Sequence, residues 1–264
     1  MIKMNGKYSV TGILLSIMAL ATLPCAQCAD NDVLFQVSTI DALLQGVFDG
    51  FFTFEDLKTH GDFGIGTFDS LDGEMVALDG EYYQVKDDGV VYPVRDDMTS
   101  PFSTVTHFEA DQTISIHNAS NFTELSQQLD KQLPSKNAFY ALRIDGTFLY
   151  VKTRSVPKQE KPYPRLVNAT KNQSVFEFNN TKGTIVGIWA PEFSEGLNVP
   201  GYHFHYITED RKAGGHVLDL KIDDATGDID ITAGFSMQLP TSGDFYNVDL
   251  NQDLQSELEI IEKS

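Results

Sequence analysis

Gly201-Tyr202-His203-Phe204-His205-Tyr206-Ile207-Thr208-Glu209-Asp210-Arg211-Lys212-Ala213-Gly214-Gly215-His216 holds three of the chain's six histidines. The aromatic and β-branched run at its start reads as a strand. Residues i and i+2 of a strand share a face, so His203 and His205 point one way and Phe204 and Tyr206 the other. Glu209-Asp210 and Gly214-Gly215 are turn residues that let the chain return antiparallel. His216 opens the return strand and can reach the face of His203 and His205. Three neutral imidazoles with one side left open are the donor set of a catalytic zinc ion. Imidazole also suits iron, manganese, cobalt, nickel or copper. The bland alternative is a polar face of half-exposed histidines.

Outward from this hairpin the pattern stays strand-rich. Short alternating segments cover 33–39, 63–68, 73–78, 81–85, 90–94, 104–108 and 112–116, separated by Gly and Asp turns. Residues 139–154 read as a hairpin or two staggered strands, and 176–178, 183–189, 216–222, 228–232 and 235–239 as further strands. Helices are few: 42–48, 54–58, 121–132 with Asn118-Ala119-Ser120 as its cap, and 253–263. The expected class is α+β with mainly antiparallel or mixed sheet, in two packed β subdomains. A soft internal boundary is expected near 135–160, where Pro157, Pro162 and Pro164 punctuate the chain.

Residues 1–29 are set apart from the fold. Lys3 and Lys7 precede an apolar run, Thr11 to Leu23, followed by Pro24 and small residues. That order is a signal peptide, with the mature chain starting near Asp30 and the protein exported. Removing it takes away Cys25 and Cys28, so neither disulfide nor thiolate chemistry is available to the domain at 30–264. No later apolar run approaches membrane length. The formal charge of -19 argues against nucleic acid, because phosphate neutralisation needs a basic surface. At 264 residues and 41% hydrophobic composition, the chain can bury a sizeable core.

Two resemblances follow from particular residues. His203, His205 and Glu209 are spaced like the first motif of a cupin, but no histidine follows His216 to complete the second. Asn198-Val199-Pro200 leading into the quoted hairpin, with Gly214 to Leu218, resembles the metal motif of the alpha-acetolactate decarboxylase family. Leu34 to Ile40 resembles that family's opening strand. Gly64 to Met75 resembles its Gly-rich segment with an acidic centre, and Arg154 to Gln159 with Pro162-Tyr163-Pro164 resembles its central motif. The likeness runs from about residue 33 to the C-terminus.

That resemblance implies a site of zinc, three histidines, two glutamates and one arginine. The metal ligands map onto His203, His205 and His216. Glu74 is the first glutamate and Arg154 the arginine. Glu262 fits the second glutamate by its spacing from the last histidine, with Glu257 and Glu259 close by. The implied substrate is a small 2-hydroxy-3-oxo acid, decarboxylated to acetoin with no organic cofactor. The metal would chelate its hydroxyl and keto oxygens and stabilise an enediolate. Arg154 would hold an anionic oxygen, and a glutamate would return a proton to carbon. The family also implies a homodimer. The rival classes are a cupin-like oxygenase or isomerase and an exported metal-binding protein without turnover. His60, His107 and His117 lack companions and read as structural or surface residues.

Overall fold

We describe residues 32–263 in a computed structural model of the chain. The expected signal segment, 1–29, lies outside the described residues. Seven strands form one mixed sheet in the spatial order β14 (Gly234–Gln238), β1 (Val33–Val37), β8 (Ser103–Thr106), β3 (Phe63–Thr67), β4 (Glu74–Leu78), β5 (Glu81–Val85) and β6 (Val91–Pro93). All its pairings are antiparallel except β1 with β14. β2 (Phe52–Thr53) and β7 (Thr99–Ser100) form a small ribbon.

The second sheet holds β9 (Gln112–Ala119), β10 (Phe139–Ser155), β11 (Ser174–Ala190), β12 (Gly201–Thr208) and β13 (Gly214–Thr232). β10 pairs with both β11 and β13, so four of these strands close on themselves and β9 lies outside on β13. Phe148, Phe204, Tyr206 and Leu220 fill the interior. A separate cluster joins the two sheets, with Leu34, Ile65 and Val76 meeting Ala141, Val186 and Ile188.

The α+β class with few helices is therefore what the chain adopts, but three strand readings need correction. Residues 139–154 are neither a hairpin nor staggered strands: β10 runs unbroken through Gly146, which pairs with both Gly183 and Ala225. The segments at 176–178 and 183–189 are one strand, as are 216–222 and 228–232. Closing a barrel makes strands long and bent, and β10 absorbs the bend in register shifts at Gly146, Phe148 and Lys152. A turn-like Gly in such a strand marks curvature rather than its end. The stretch 135–160 is occupied by β10 and its exit, and the chain passes between the sheets before β9 and after β13.

Among the described residues there are five α-helices. They are α1 (Ile40–Leu44), α2 (Phe54–Leu57), α3 (Phe122–Asp130), α4 (Leu166–Ala169) and α5 (Gln255–Lys263). Thr39 caps α1 by accepting from Ala42 N. α3 is capped by Asn121 rather than by the preceding Asn118-Ala119-Ser120, because the Asn121 side chain accepts from Glu124 N. α4 has no counterpart in the sequence reading, since four residues carry no helical period. Leu254, Leu258 and Ile261 dock the C-terminal segment against α1 and α4 through Ile40, Leu43, Leu44 and Leu166.

Candidate metal centre

The three histidines sit where the barrel faces the mixed sheet. β12 is buried on both sides: Phe204 and Tyr206 enter the barrel, while His203 and His205 face outward under the sheet. β13 sets His216 directly opposite His205, and β10 sets Arg154 opposite His216. His205, His216 and Arg154 thus form a row across three adjacent strands. Two glycines allow close approaches at the row and at the strand that carries Glu74. Gly215 has φ +134, and a Cβ there would lie 2.5 Å from the Arg154 carbonyl oxygen. Gly73 has φ +90, and a Cβ there would lie 2.3 Å from the Val85 carbonyl oxygen, in the turn that starts β4 at Glu74.

One ring nitrogen from each of His203, His205 and His216 lies within 4.8 Å of the others, and all three side chains are buried. His203 Nε2 is 3.1 Å from His216 Nδ1. His205 Nδ1 is 2.7 Å from the Met75 carbonyl oxygen. A carbonyl can only accept, so Nδ1 carries the proton and Nε2 is left with a lone pair. Nε2 of His205 and Nε2 of His216 are buried and have no hydrogen-bond partner. Burial holds all three rings neutral: it lowers the pKa of His203 to about 3 and those of His205 and His216 well below the usual value, with Arg154 adding to each. Neutral rings with orphaned lone pairs converging on one point fit a bound cation.

Three further groups close round them. Glu74 Oε2 is 3.7 Å from His205 Nε2, and its Oε1 is 3.2 Å from Arg154 Nη1. Glu262 Oε2 is 3.6 Å from His216 Nε2. With the rings neutral, these carboxyl–imidazole contacts are not ion pairs. Burial raises the pKa of Glu74 to about 7 against the opposing pull of Arg154, and Glu262 adds a smaller upward push. Burial also raises Glu262 to about 7, again opposed by Arg154. Arg154 Nε is buried without a partner. The enclosed space is about 40 Å³, with Leu71, Phe102, Val156, Leu166 and Ile261 among its apolar walls. A groove of about 580 Å³ between α3, β12 and α5 shares Glu262 with it.

All six residues singled out in the sequence thus meet round one cavity, and Glu262 rather than Glu257 or Glu259 is the α5 carboxyl that lines it. Glu209, the acid of the cupin-like spacing, is instead exposed in the β12–β13 turn. His60 stacks on Phe35, with ring centroids 3.7 Å apart, away from the cavity. The sequence reading missed the Met75 carbonyl, which no side-chain pattern reports. It also missed the strained turn before Glu74. Ser70 and Leu71 have φ of 61 and 57, held by hydrogen bonds from Gln159 N to the Ser70 carbonyl and between the Ser70 and Tyr163 hydroxyls.

A family model for alpha-acetolactate decarboxylase matches residues 34–252. The chain belongs to the alpha-acetolactate decarboxylase family. The family match takes in the three histidines, Glu74 and Arg154 and ends before α5. Alpha-acetolactate decarboxylase from Methanosarcina mazei is 60% identical over 233 residues, which cover 88% of this chain and 81% of that one. The Brevibacillus brevis protein of the same name is 44% identical, over 86% of this chain and 80% of its own. The crystal structure of alpha-acetolactate decarboxylase from Bacillus subtilis strain 168 superposes with a TM-score of 0.85 at 43% identity, covering 88% of this chain and all of that one.

Proposed function

We propose that the protein is a carboxy-lyase that decarboxylates 2-acetolactate to acetoin and carbon dioxide, with zinc held by His203, His205 and His216. Family membership supports the carboxy-lyase activity. The observation that carries the metal is the pair of orphaned Nε2 atoms in a buried three-histidine cluster. When bound, zinc supplies a Lewis acid beside the substrate's hydroxyl and ketone oxygens.

The chain's own residues do the rest. Arg154 is buried and its Nε lacks a partner, so its planar fork can take an anionic substrate oxygen while Nη1 stays on Glu74. As the bond from the carboxylate carbon to C2 breaks, its electron pair moves toward the ketone oxygen. A proton must then return to C2. Glu74 and Glu262, each raised to about 7, can carry a proton near neutral pH and flank the histidines on two sides, Glu262 also facing the groove. The apolar walls exclude water and seat the substrate's methyl groups.

Export after cleavage near Asp30 is part of the same proposal, resting on the charge and apolar order of residues 1–29. Recovery of an intact Met1 on exported, active protein would overturn it. A homodimer is also proposed, to be read by light scattering. Among the described residues no helix is long and apolar enough to cross a membrane. The direct test of function is release of carbon dioxide and acetoin from 2-acetolactate by purified protein. Turnover should be abolished by chelator and restored by zinc; full activity in chelator would remove the metal from the proposal.

A further inference from the structure

α5 must deliver Glu262 to within a few tenths of an ångström for proton transfer, yet its apolar footing is not directional. Leu254, Leu258 and Ile261 determine which face of the segment is down. Apolar burial alone resists sliding and rotation weakly, because it depends on area rather than on angle. The start of the segment is also pushed. Asp253 gathers there with Asp41 and Glu195, and burial together with those two acids raises the Asp41 pKa to about 6.

A charge contact ties the segment at one point on the other side. Arg165 Nη2 lies 3.2 Å from Glu257 Oε1. Arg165 Nε and Nη2 and Glu257 Oε2 are shut off from water and make no hydrogen bond, while the two side chains as a whole stay 39% and 26% exposed, so this contact is a partly screened charge attraction. Arg165 is itself well anchored. It caps α4, whose first residue, Leu166, lines the histidine cavity. The preceding connector is pinned where the Tyr163 hydroxyl donates to Asp49 and meets Ser70. On α5, Glu257 stands one turn before Ile261, and Leu258 one turn before Glu262. A hold on Glu257 therefore sets the rotation of the turn that carries both cavity-lining residues.

We propose that Arg165 is a positioning residue for the reaction: through Glu257 it sets α5, and α5 sets Glu262 against His216. The proposal rests on the reading of Glu262 as a reacting group. The test uses metal-loaded full chain and steady-state kinetics. Arg165→Ala should keep its metal and lower kcat about tenfold, ~1.4 kcal/mol at the barrier, with KM little changed. Arg165→Lys should recover part of the loss, and the exchange Arg165→Glu with Glu257→Arg should recover more than either single change. In a Glu262→Gln background, Arg165→Ala should cost nothing further. Unchanged kcat in Arg165→Ala beside a crippled Glu262→Gln would overturn the positioning role and leave the function standing. An equal loss in both backgrounds would also overturn it, as would failure of the exchange to recover activity. A harmless Glu262→Gln would remove the reading of Glu262 on which the proposal depends.

Discussion

Glu262 Oε2 lies 3.6 Å from His216 Nε2, so the last helix of the chain supplies a wall of the histidine cavity. Neither residue needs the other for its local structure. Their meeting is made by the apolar stripe of α5, and it sets a carboxyl whose pKa burial raises to about 7 beside a ring that burial keeps neutral.

The metal assignment predicts a sharp split among histidines. His203→Ala, His205→Ala and His216→Ala should each lose metal and cut turnover by more than about a hundredfold, since even outer partners of a ligand cost ~10–100-fold. His60→Ala, at the ring stacked on Phe35, should keep full metal content. Elemental analysis beside the acetoin assay decides it. Full zinc occupancy in His205→Ala would count against the site.

Arg154→Lys should retain metal and fold while turnover falls about ten- to a hundredfold, because an ammonium cannot span Glu74 and a substrate anion with one planar fork. Parallel metal and rate measurements on the variant check this. A wild-type rate would reduce Arg154 to a partner for Glu74.

Deleting residues 260–264 removes Ile261 and Glu262. Losing the buried Ile261 should cost about 2–4 kcal/mol, which a domain of this size can absorb. The truncated protein should stay folded with its zinc but turn over very slowly, and Glu262→Gln should reproduce most of the kinetic loss without the drop in Tm. Normal turnover after truncation would mean that the carboxyl stays outside the reaction.

The pH dependence of the metal-free protein has a defined sign. Burial raises the Glu262 pKa from 4.5 to about 7, so the folded state holds the proton more tightly than the unfolded state. Its favourable contribution is present below about 4.5 and is lost as pH rises through about 7. At ~1.4 kcal/mol per unit, the loss is on the order of 3–4 kcal/mol. Glu262→Gln cannot ionise, so metal-free Glu262→Gln should gain on metal-free wild type between about pH 5 and pH 8 in thermal unfolding. A difference independent of pH would show that burial does not hold this proton.

The strand pattern was legible where strands are short. The β3–β4–β5 meander alternates with Gly and Asp turns much as read from the sequence. It failed at β10, β11 and β13, because their length comes from closure of the barrel and closure is not a local property. Gly146 stands at a register shift inside a continuous strand.

By itself the sequence determined the chemistry available. His203 and His205 share a face by the two-residue period of a strand, and His216 joins them across the turn at 209–212, with Gly214 and Gly215 not in that turn but already paired to Ile207 and Tyr206 in β13. The stripe of Leu254, Leu258 and Ile261 made a docked C-terminal segment legible, since helical spacing is also a local period. Only the tertiary structure decided which carboxyl of α5 reaches the histidines, that the Met75 carbonyl orients His205, and that Arg165 grips Glu257. These contacts join residues far apart in the chain, through rotation of a helix or through a main-chain atom. Periodicity places a side chain on a face, but packing against a second element decides what that face meets.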